Sequence, residues 1–179
     1  MLAEFWDEER GGFFDTAASD EPLIVRPKEV FDSAVPSGNS EAAEALLRLA
    51  LLLNDDDLRQ RAIVILEQHG QAAARQPTGF GRLLTAYDFA LAPAREIALA
   101  GDPTDPRTQA LLDVLRRRYL PWQVLALRHP GNETEPAIIP LLEAREPIDG
   151  QPAAYVCQNY SCRLPVTTPE ALAAELGLE

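Results

Sequence analysis

The sequence is poor in cysteine, methionine and histidine, and it has few positive charges. Its 179 residues include two cysteines, one methionine and two histidines. Lys and Arg number 16 against 28 Asp and Glu, which gives a formal net charge of −12. Nucleic acids and anionic membrane surfaces are bound through a local excess of Lys and Arg. The composition therefore predicts a protein with no nucleic-acid partner and no membrane partner.

Long apolar runs are also lacking. No run approaches the ~20 residues that are needed to span a bilayer, and residues 1–7 lack the basic region and apolar core of a signal peptide. Two cysteines are too few for a disulfide framework, so a cytoplasmic location is expected. Cys157, Cys162, His69 and His129 match no zinc-ligand spacing. We therefore expect no metal and no cofactor.

The first part of the chain, residues 1–92, is predicted to be helical. Apolar periodicity predicts helices over residues 40–53, 57–74 and 79–91. The first of them is apolar on almost every side, which is typical of a helix that is buried over most of its circumference. Short polar links separate the three helices, so we expect neighbouring helices to run antiparallel. This part is interpreted as a set of helical hairpins.

The second part, residues 93–179, has a different pattern. It predicts three strands and two helices: strands at 96–100, 122–127 and 153–157, and helices at about 106–119 and after Thr168. The first two strands flank a helix, and that arrangement favours a right-handed β-α-β unit with parallel strands. The predicted fold is therefore mostly α, with a small α/β lobe at the end.

A group of polar and charged residues precedes the most apolar helix: Arg26, Lys28, Asp32, Ser37, Asn39 and Ser40. Polar groups that converge on a helix N-terminus suit sugar hydroxyls or an anion. The same groups could instead cap the helix and satisfy one another internally. We predict that these residues cluster at one end of the helix and line a concavity, and we keep the internal cap as the alternative.

The two cysteines are separated by four residues just after the third predicted strand. A disulfide between Cys157 and Cys162 requires a chain reversal that brings their Cα atoms within ~7 Å, and Gln158-Asn159 could form such a turn. A redox pair would also need exposure and a lowered thiol pKa. The spacing is not the C-x-x-C of thioredoxins. We therefore predict reduced, structural thiols and keep a redox pair as the alternative.

Three segments together resemble the YyaL-like (spermatogenesis-associated protein 20) family of thioredoxin-domain-containing proteins. They are Arg26-Pro27-Lys28, Pro36-Ser37-Gly38-Asn39-Ser40 and Cys157-x-Asn159-x-x-Cys162-x-x-Pro165-Val166. The resemblance covers nearly the whole chain and implies the C-terminal segment of a longer protein. It implies a thioredoxin-like domain followed by an α/α toroid of the N-acylglucosamine 2-epimerase (six-hairpin) type. Residues 1–92 would then be part of that toroid.

The functional implication of the resemblance is a carbohydrate-active or epimerase-like ancestry without a defined reaction, so it leaves open whether the protein is an enzyme. A carbohydrate-like small molecule is the expected ligand. Two alternatives are a thiol-redox module that uses Cys157 and Cys162 with the thioredoxin-like domain, and a non-catalytic interaction domain. The thioredoxin-like domain and the missing hairpins, or a second copy of the chain, are the expected partners, docked on an exposed apolar face of the helix at 40–53.

Overall fold

The chain folds into two compact units. The computed structural model describes residues 1–21, 24–129, 131, 139–159 and 161–178. The first unit contains Met1–Ala50 and Asp55–Leu91, and the second contains Leu51–Asn54 and the chain from Ala92 onward. Within the described residues there are six α-helices and one four-stranded mixed sheet. The mixed helix and strand content is confirmed, whereas the toroid stays a prediction.

The three helices predicted in the first part are present with small shifts at their ends, and a short helix precedes them. Their bounds are α1 Leu2–Phe5, α2 Gly38–Leu53, α3 Asp56–Arg75 and α4 Gly81–Leu91. Asp55 begins α3 as its N-cap, because its side chain accepts a hydrogen bond from the Leu58 N–H. A 3₁₀ turn, Pro77–Gly79, precedes α4. The antiparallel arrangement of the helices stays a prediction.

The most apolar helix, α2, is largely covered within this chain. Its buried apolar side chains are Ala42, Ala43, Leu46, Leu47 and Ala50. Leu49 is the large apolar residue of α2 that stays exposed, at 40%. Most of the apolar surface that suggested a docking face is therefore already buried. Docking of further hairpins or of a second copy stays a prediction.

The second unit is built on a mixed sheet. Its elements are β1 Arg95–Ala100, α5 Pro106–Arg116, β2 Gln123–Arg128, a 3₁₀ turn Pro140–Leu142, β3 Ala153–Gln158, β4 Ser161–Cys162 and α6 Pro169–Leu176. The strand order is β2-β1-β3-β4. The predicted parallel pairing of β1 with β2 is confirmed, and β3 pairs antiparallel with both β1 and β4.

Alternate residues of the sheet serve two different faces. Ile97 and Leu99 of β1 pack with Leu111 of α5 and Leu172 of α6. The residue between them, Ala98, belongs to a separate cluster with Ala126 and Leu142. This alternation follows from the two-residue period of a strand. Glu96 shares the parity of Ala98, so it belongs to the face of the second cluster.

Among the described residues, none of the helices combines the length and the apolar character needed to cross a membrane.

Candidate functional site

The polar residues before α2 form an internal network. Asp32 accepts hydrogen bonds from the backbone N–H groups of Ser37 (2.9 Å), Arg82 (2.7 Å) and Leu83 (3.2 Å). Burial alone would raise the pKa of Asp32, but these hydrogen bonds and one from Ser40 outweigh it and lower the pKa. The Ser37 hydroxyl donates to Ser40 Oγ at 2.8 Å and accepts from the Ser40 N–H at 3.1 Å. This network lies at the N-terminus of α2 and connects it to the N-terminus of α4.

Asn39 is also used internally. Its Oδ1 accepts from the Phe13 N–H at 2.7 Å, and its Nδ2 donates to the carbonyls of Phe13 (2.9 Å) and Glu29 (3.0 Å). The side chain is buried, with 1% exposure. One acceptor and two donors are thereby paired with backbone groups. Asn39 therefore fixes the segment before α2 against α2 itself.

Arg26 and Lys28 lie on the ring of Phe14, at 4.1 and 4.6 Å from its centroid. Arg26 donates to the carbonyls of Glu4 (3.1 Å) and Thr16 (2.6 Å). Lys28 Nζ donates to Asp7 Oδ2 at 2.5 Å and to the Gly11 carbonyl at 2.6 Å. The bond from Lys28 lowers the pKa of Asp7 to about 2.

Arg26 and Lys28 also line an open cleft in the first unit. The cleft has a volume of about 800 Å³, and Phe14, Gln68 and His69 form other parts of its wall. Burial, followed by the charge of Lys28, lowers the pKa of His69. The structure thus divides the predicted residues. Arg26 and Lys28 face the cleft, whereas Asp32, Ser37, Asn39 and Ser40 form the network around the start of α2. Ligand binding by either group stays a prediction.

The two cysteines form a disulfide, so the prediction of reduced thiols is wrong for this structure. Their Sγ atoms are 2.06 Å apart. The predicted strand ended at Cys157, but β3 continues to Gln158, and Asn159 adopts a left-handed conformation with a φ of 50°. The chain then returns as β4, which places Cys162 directly opposite Cys157. Directly paired residues in antiparallel strands have neighbouring side chains, and that proximity allows the bond.

The two sulfurs lie in different surroundings. Cys157 is buried, with 1% exposure, whereas Cys162 is exposed. Arg145 Nη2 donates to Cys162 Sγ at 3.0 Å and lies 4.0 Å from Cys157 Sγ. A cation beside a sulfur favours its thiolate form. The arrangement therefore combines an accessible sulfur with a group that can stabilise it as a leaving group or nucleophile.

The segment that carries Arg145 is anchored at several points. Leu142 is buried against Ala98 and Ala126. Glu146 forms an ion pair with Arg128 at 2.7 Å, and its carbonyl accepts from the Tyr155 hydroxyl at 2.7 Å. The Arg145 guanidinium lies 5.0 Å from the centre of the Tyr155 ring. These contacts hold the cation beside the disulfide.

A second charged group lies next to the disulfide. Glu96 is buried, with 1% exposure, and it is paired with Cys157 across the β1–β3 ladder. Glu96, Arg145 and both cysteines line one pocket of about 180 Å³, together with Glu143. Within the described ranges, no group of His, Cys, Asp and Glu side chains is arranged to hold a metal ion. The carboxylates, the guanidinium and the sulfurs that line the pocket suit proton transfer and thiol–disulfide exchange.

Known proteins give this geometry a family context. Spermatogenesis-associated protein 20 from Homo sapiens is 30% identical over 168 residues, and the alignment covers 92% of this chain. The protein of that name from Rattus norvegicus has the same identity and coverage. The chain is thus similar to spermatogenesis-associated protein 20 over nearly its whole length. An uncharacterized protein from Caenorhabditis elegans is 24% identical over 94% of the chain. No family model matches the chain.

The match confirms the resemblance to the spermatogenesis-associated protein 20 family. The alignments cover 21% of the human and rat proteins and 23% of the C. elegans protein. The chain thus spans about a fifth of the length of the curated relatives it matches. Its place at their C-terminal end stays a prediction.

Sequence reasoning missed two residues of this spermatogenesis-associated protein 20 relative that surround the disulfide. Glu96 carried a signal, since it is a charged residue inside an otherwise apolar strand, Arg95–Ala100. Arg145 carried no such signal, because it lies in an irregular segment between a 3₁₀ turn and β3. Its role depends on a contact across 17 residues of chain.

Proposed function

We propose that Cys157 and Cys162 form a thiol–disulfide exchange site that acts with a dithiol partner. The observation that carries the proposal is the contact of Arg145 Nη2 with Sγ of the exposed cysteine, at 3.0 Å. A cation at that distance favours release of the Cys162 sulfur from a mixed disulfide as a thiolate. The family resemblance implies a thioredoxin-like domain in the longer proteins, and a dithiol of that kind is the partner class that we propose.

The exchange begins at Cys162, because its sulfur is the exposed one. A partner thiolate attacks Cys162 Sγ, and the electron pair of the breaking S–S bond leaves on Cys157 Sγ, which takes up a proton from solvent. The second partner thiolate then attacks the partner's own sulfur in the mixed disulfide. Cys162 is released as a thiolate beside Arg145. The partner ends as a disulfide and the cysteine pair ends reduced, so two electrons have moved.

Two matched variants test this order of events. In Cys157→Ser the exposed Cys162 is the only cysteine, and we expect this variant to form a mixed disulfide with oxidised glutathione. Cys162→Ser leaves the buried Cys157 alone, and we expect it to react at least about tenfold more slowly because access is restricted. Intact-protein mass spectrometry measures both rates. The proposal fails if neither variant reacts, or if a dithiol cannot reduce the folded wild-type protein.

A second candidate function is binding of a carbohydrate-like molecule in the cleft of the first unit. The observation that favours it is the mixed lining of the cleft, in which Arg26, Lys28 and Gln68 offer polar groups beside Phe14. Sugar sites combine such polar groups with apolar contact. Four of the six residues first assigned to this ligand are engaged in the α2 network, so this support is weaker.

Binding of N-acetylglucosamine to the full-length protein tests the second candidate. Calorimetry should show saturable binding that weakens about tenfold in His69→Ala, because the substitution removes part of the cleft wall. Gln71→Ala is the matched control, since Gln71 is exposed on the same helix and is not among the cleft residues. Absence of saturable binding, or equal binding by both variants, contradicts this candidate.

A further inference from the structure

We infer that Arg145 and Glu96 are positioning residues that give the two sulfurs different roles. Arg145 makes Cys162 the reactive thiolate of the reduced protein, and Glu96 keeps Cys157 in its protonated thiol form. The inference rests on the proposed exchange function and deepens it. It concerns the order in which the two sulfurs react.

The position of Arg145 distinguishes the two sulfurs by distance and by access. Its Nη2 is 3.0 Å from Cys162 Sγ but 4.0 Å from Cys157 Sγ. Attraction between unit charges falls with their separation. Arg145 therefore stabilises a thiolate on Cys162 more than a thiolate on Cys157. The guanidinium also rests on the Tyr155 ring, and the neighbouring Glu146 is held by Arg128. Because the cation is fixed before reduction, little ordering remains to be done when the thiolate forms.

The position of Glu96 affects the other sulfur. Directly opposite residues of an antiparallel pair have Cβ atoms about 4.5–5.5 Å apart, and Glu96 is directly opposite Cys157. A carboxylate at that range disfavours a second negative charge. The other charged groups at the pocket are Arg145 and Glu143, and Asn54 adds an uncharged polar side chain. On β2, Val124 is the partner of Glu96 and adds no charge.

The two effects act in the same direction. In the reduced protein, Cys162 is exposed and stabilised as a thiolate, so it attacks a partner disulfide first. The S–S bond formed with Cys162 expels one partner thiolate. Cys157 gives its proton to the partner thiolate that was expelled first. It then attacks Cys162 Sγ, which closes the internal disulfide and expels the second partner thiolate. The partner disulfide is reduced to a dithiol while the cysteine pair is oxidised.

The test follows alkylation of each cysteine in the reduced protein by iodoacetamide between pH 5 and 9, with peptide mass spectrometry as the readout. In Arg145→Gln, we expect the midpoint of the Cys162 profile to rise by about one pH unit and its rate at pH 6 to fall about tenfold. Arg145→Lys should recover most of the rate, because the positive charge returns. Glu96→Gln should raise the rate of Cys157 relative to Cys162 about threefold, since a negative charge is removed.

Arg163→Gln is the matched control, because Arg163 is adjacent to Cys162 in the chain but pairs with Glu175 at 2.9 Å. We expect less than about a twofold change at Cys162 in this variant. An unchanged Cys162 profile in folded Arg145→Gln, or an equal shift in Arg163→Gln, overturns the inference. If Cys157→Ser still forms the mixed disulfide, the proposed function survives that result. If no variant exchanges with a dithiol or disulfide, the function itself fails.

Discussion

The two units use polar side chains in different ways. In the first unit, Asn39 pairs its acceptor and two donors with backbone groups of the segment that precedes α2. In the second unit, Arg145 directs a donor at an exposed disulfide sulfur, and Glu96 is buried opposite the other sulfur. Groups that are saturated by backbone stabilise a fold. Groups that converge on a bond that can break are the basis of the proposed exchange site.

The largest effect should come from breaking the network of the first unit. Asn39→Ala leaves the Phe13 N–H and the carbonyls of Phe13 and Glu29 without their partner, so we expect a loss of about 3 kcal/mol in unfolding free energy. Urea denaturation measures it. Gln60→Ala is the control, since Gln60 is exposed on α3 and its loss should change stability by less than about 0.5 kcal/mol. Equal effects of the two substitutions would contradict the structural role assigned to Asn39.

A smaller effect should come from reducing the disulfide. The cysteines are five positions apart, and closing so short a loop contributes about 2 kcal/mol in the chain-entropy model. Hydrogen exchange with and without dithiothreitol should show the loss in β3 and in the α5–α6 core, and not in α3. The double variant Cys157→Ala/Cys162→Ala should not respond to dithiothreitol. A response spread equally over both units would contradict the local role of the bond.

Tyr155→Phe should have a still smaller effect and sharpens the comparison in the second unit. It removes the hydroxyl that donates to the Glu146 carbonyl at 2.7 Å, so we expect a loss of about 1 kcal/mol. The ring below Arg145 remains, so alkylation of reduced Cys162 should change by less than about threefold. Tyr119→Phe is the control, because Tyr119 is 88% exposed. A larger change at Cys162 would mean that the hydroxyl, rather than the ring, positions Arg145.

The smallest effect concerns the acid stability of the first unit. The hydrogen bond from Lys28 lowers the pKa of Asp7 from 3.8 to about 2. A lowered folded-state pKa stabilises the protein above about pH 4, and that contribution is lost as the pH falls from about 4 to about 2. Asp7→Asn should flatten the decline of the urea midpoint over this interval. Glu21→Gln, an exposed control in the same unit, should not, and an unchanged slope in Asp7→Asn would contradict the assignment.

Local patterns predicted much of the framework. Three kinds of feature depend only on neighbours within a few residues, so they could be predicted from the sequence. They are the apolar periodicity of α2 and α3, the apolar runs of β1 and β2, and the Thr168 N-cap of α6. The predicted end of α5, near residue 119, was wrong, because α5 ends at Arg116. No residue after Arg116 marks a helix end in the sequence.

The candidate sites could be predicted only in part. The polar group before α2 was visible as a cluster in sequence, and the division between the cleft and the network was not, because Arg82 and Phe13 reach that cluster from distant positions. The pairing of Cys157 with Cys162 was missed for a different reason. It depended on the conformation of Asn159 and on one further residue of β3, and strand ends are poorly specified by sequence.

The sequence by itself determined the resemblance to spermatogenesis-associated protein 20, the order of the main helices and strands, and the presence of two cysteines in a strand-and-turn segment. These follow from local composition, periodicity and similarity to known chains. Only the tertiary structure decided that the sulfurs are bonded, that Cys162 is the exposed one, and that Arg145 and Glu96 lie beside the bond. Those facts depend on strand register and on contacts between residues far apart in the chain, which no local pattern encodes.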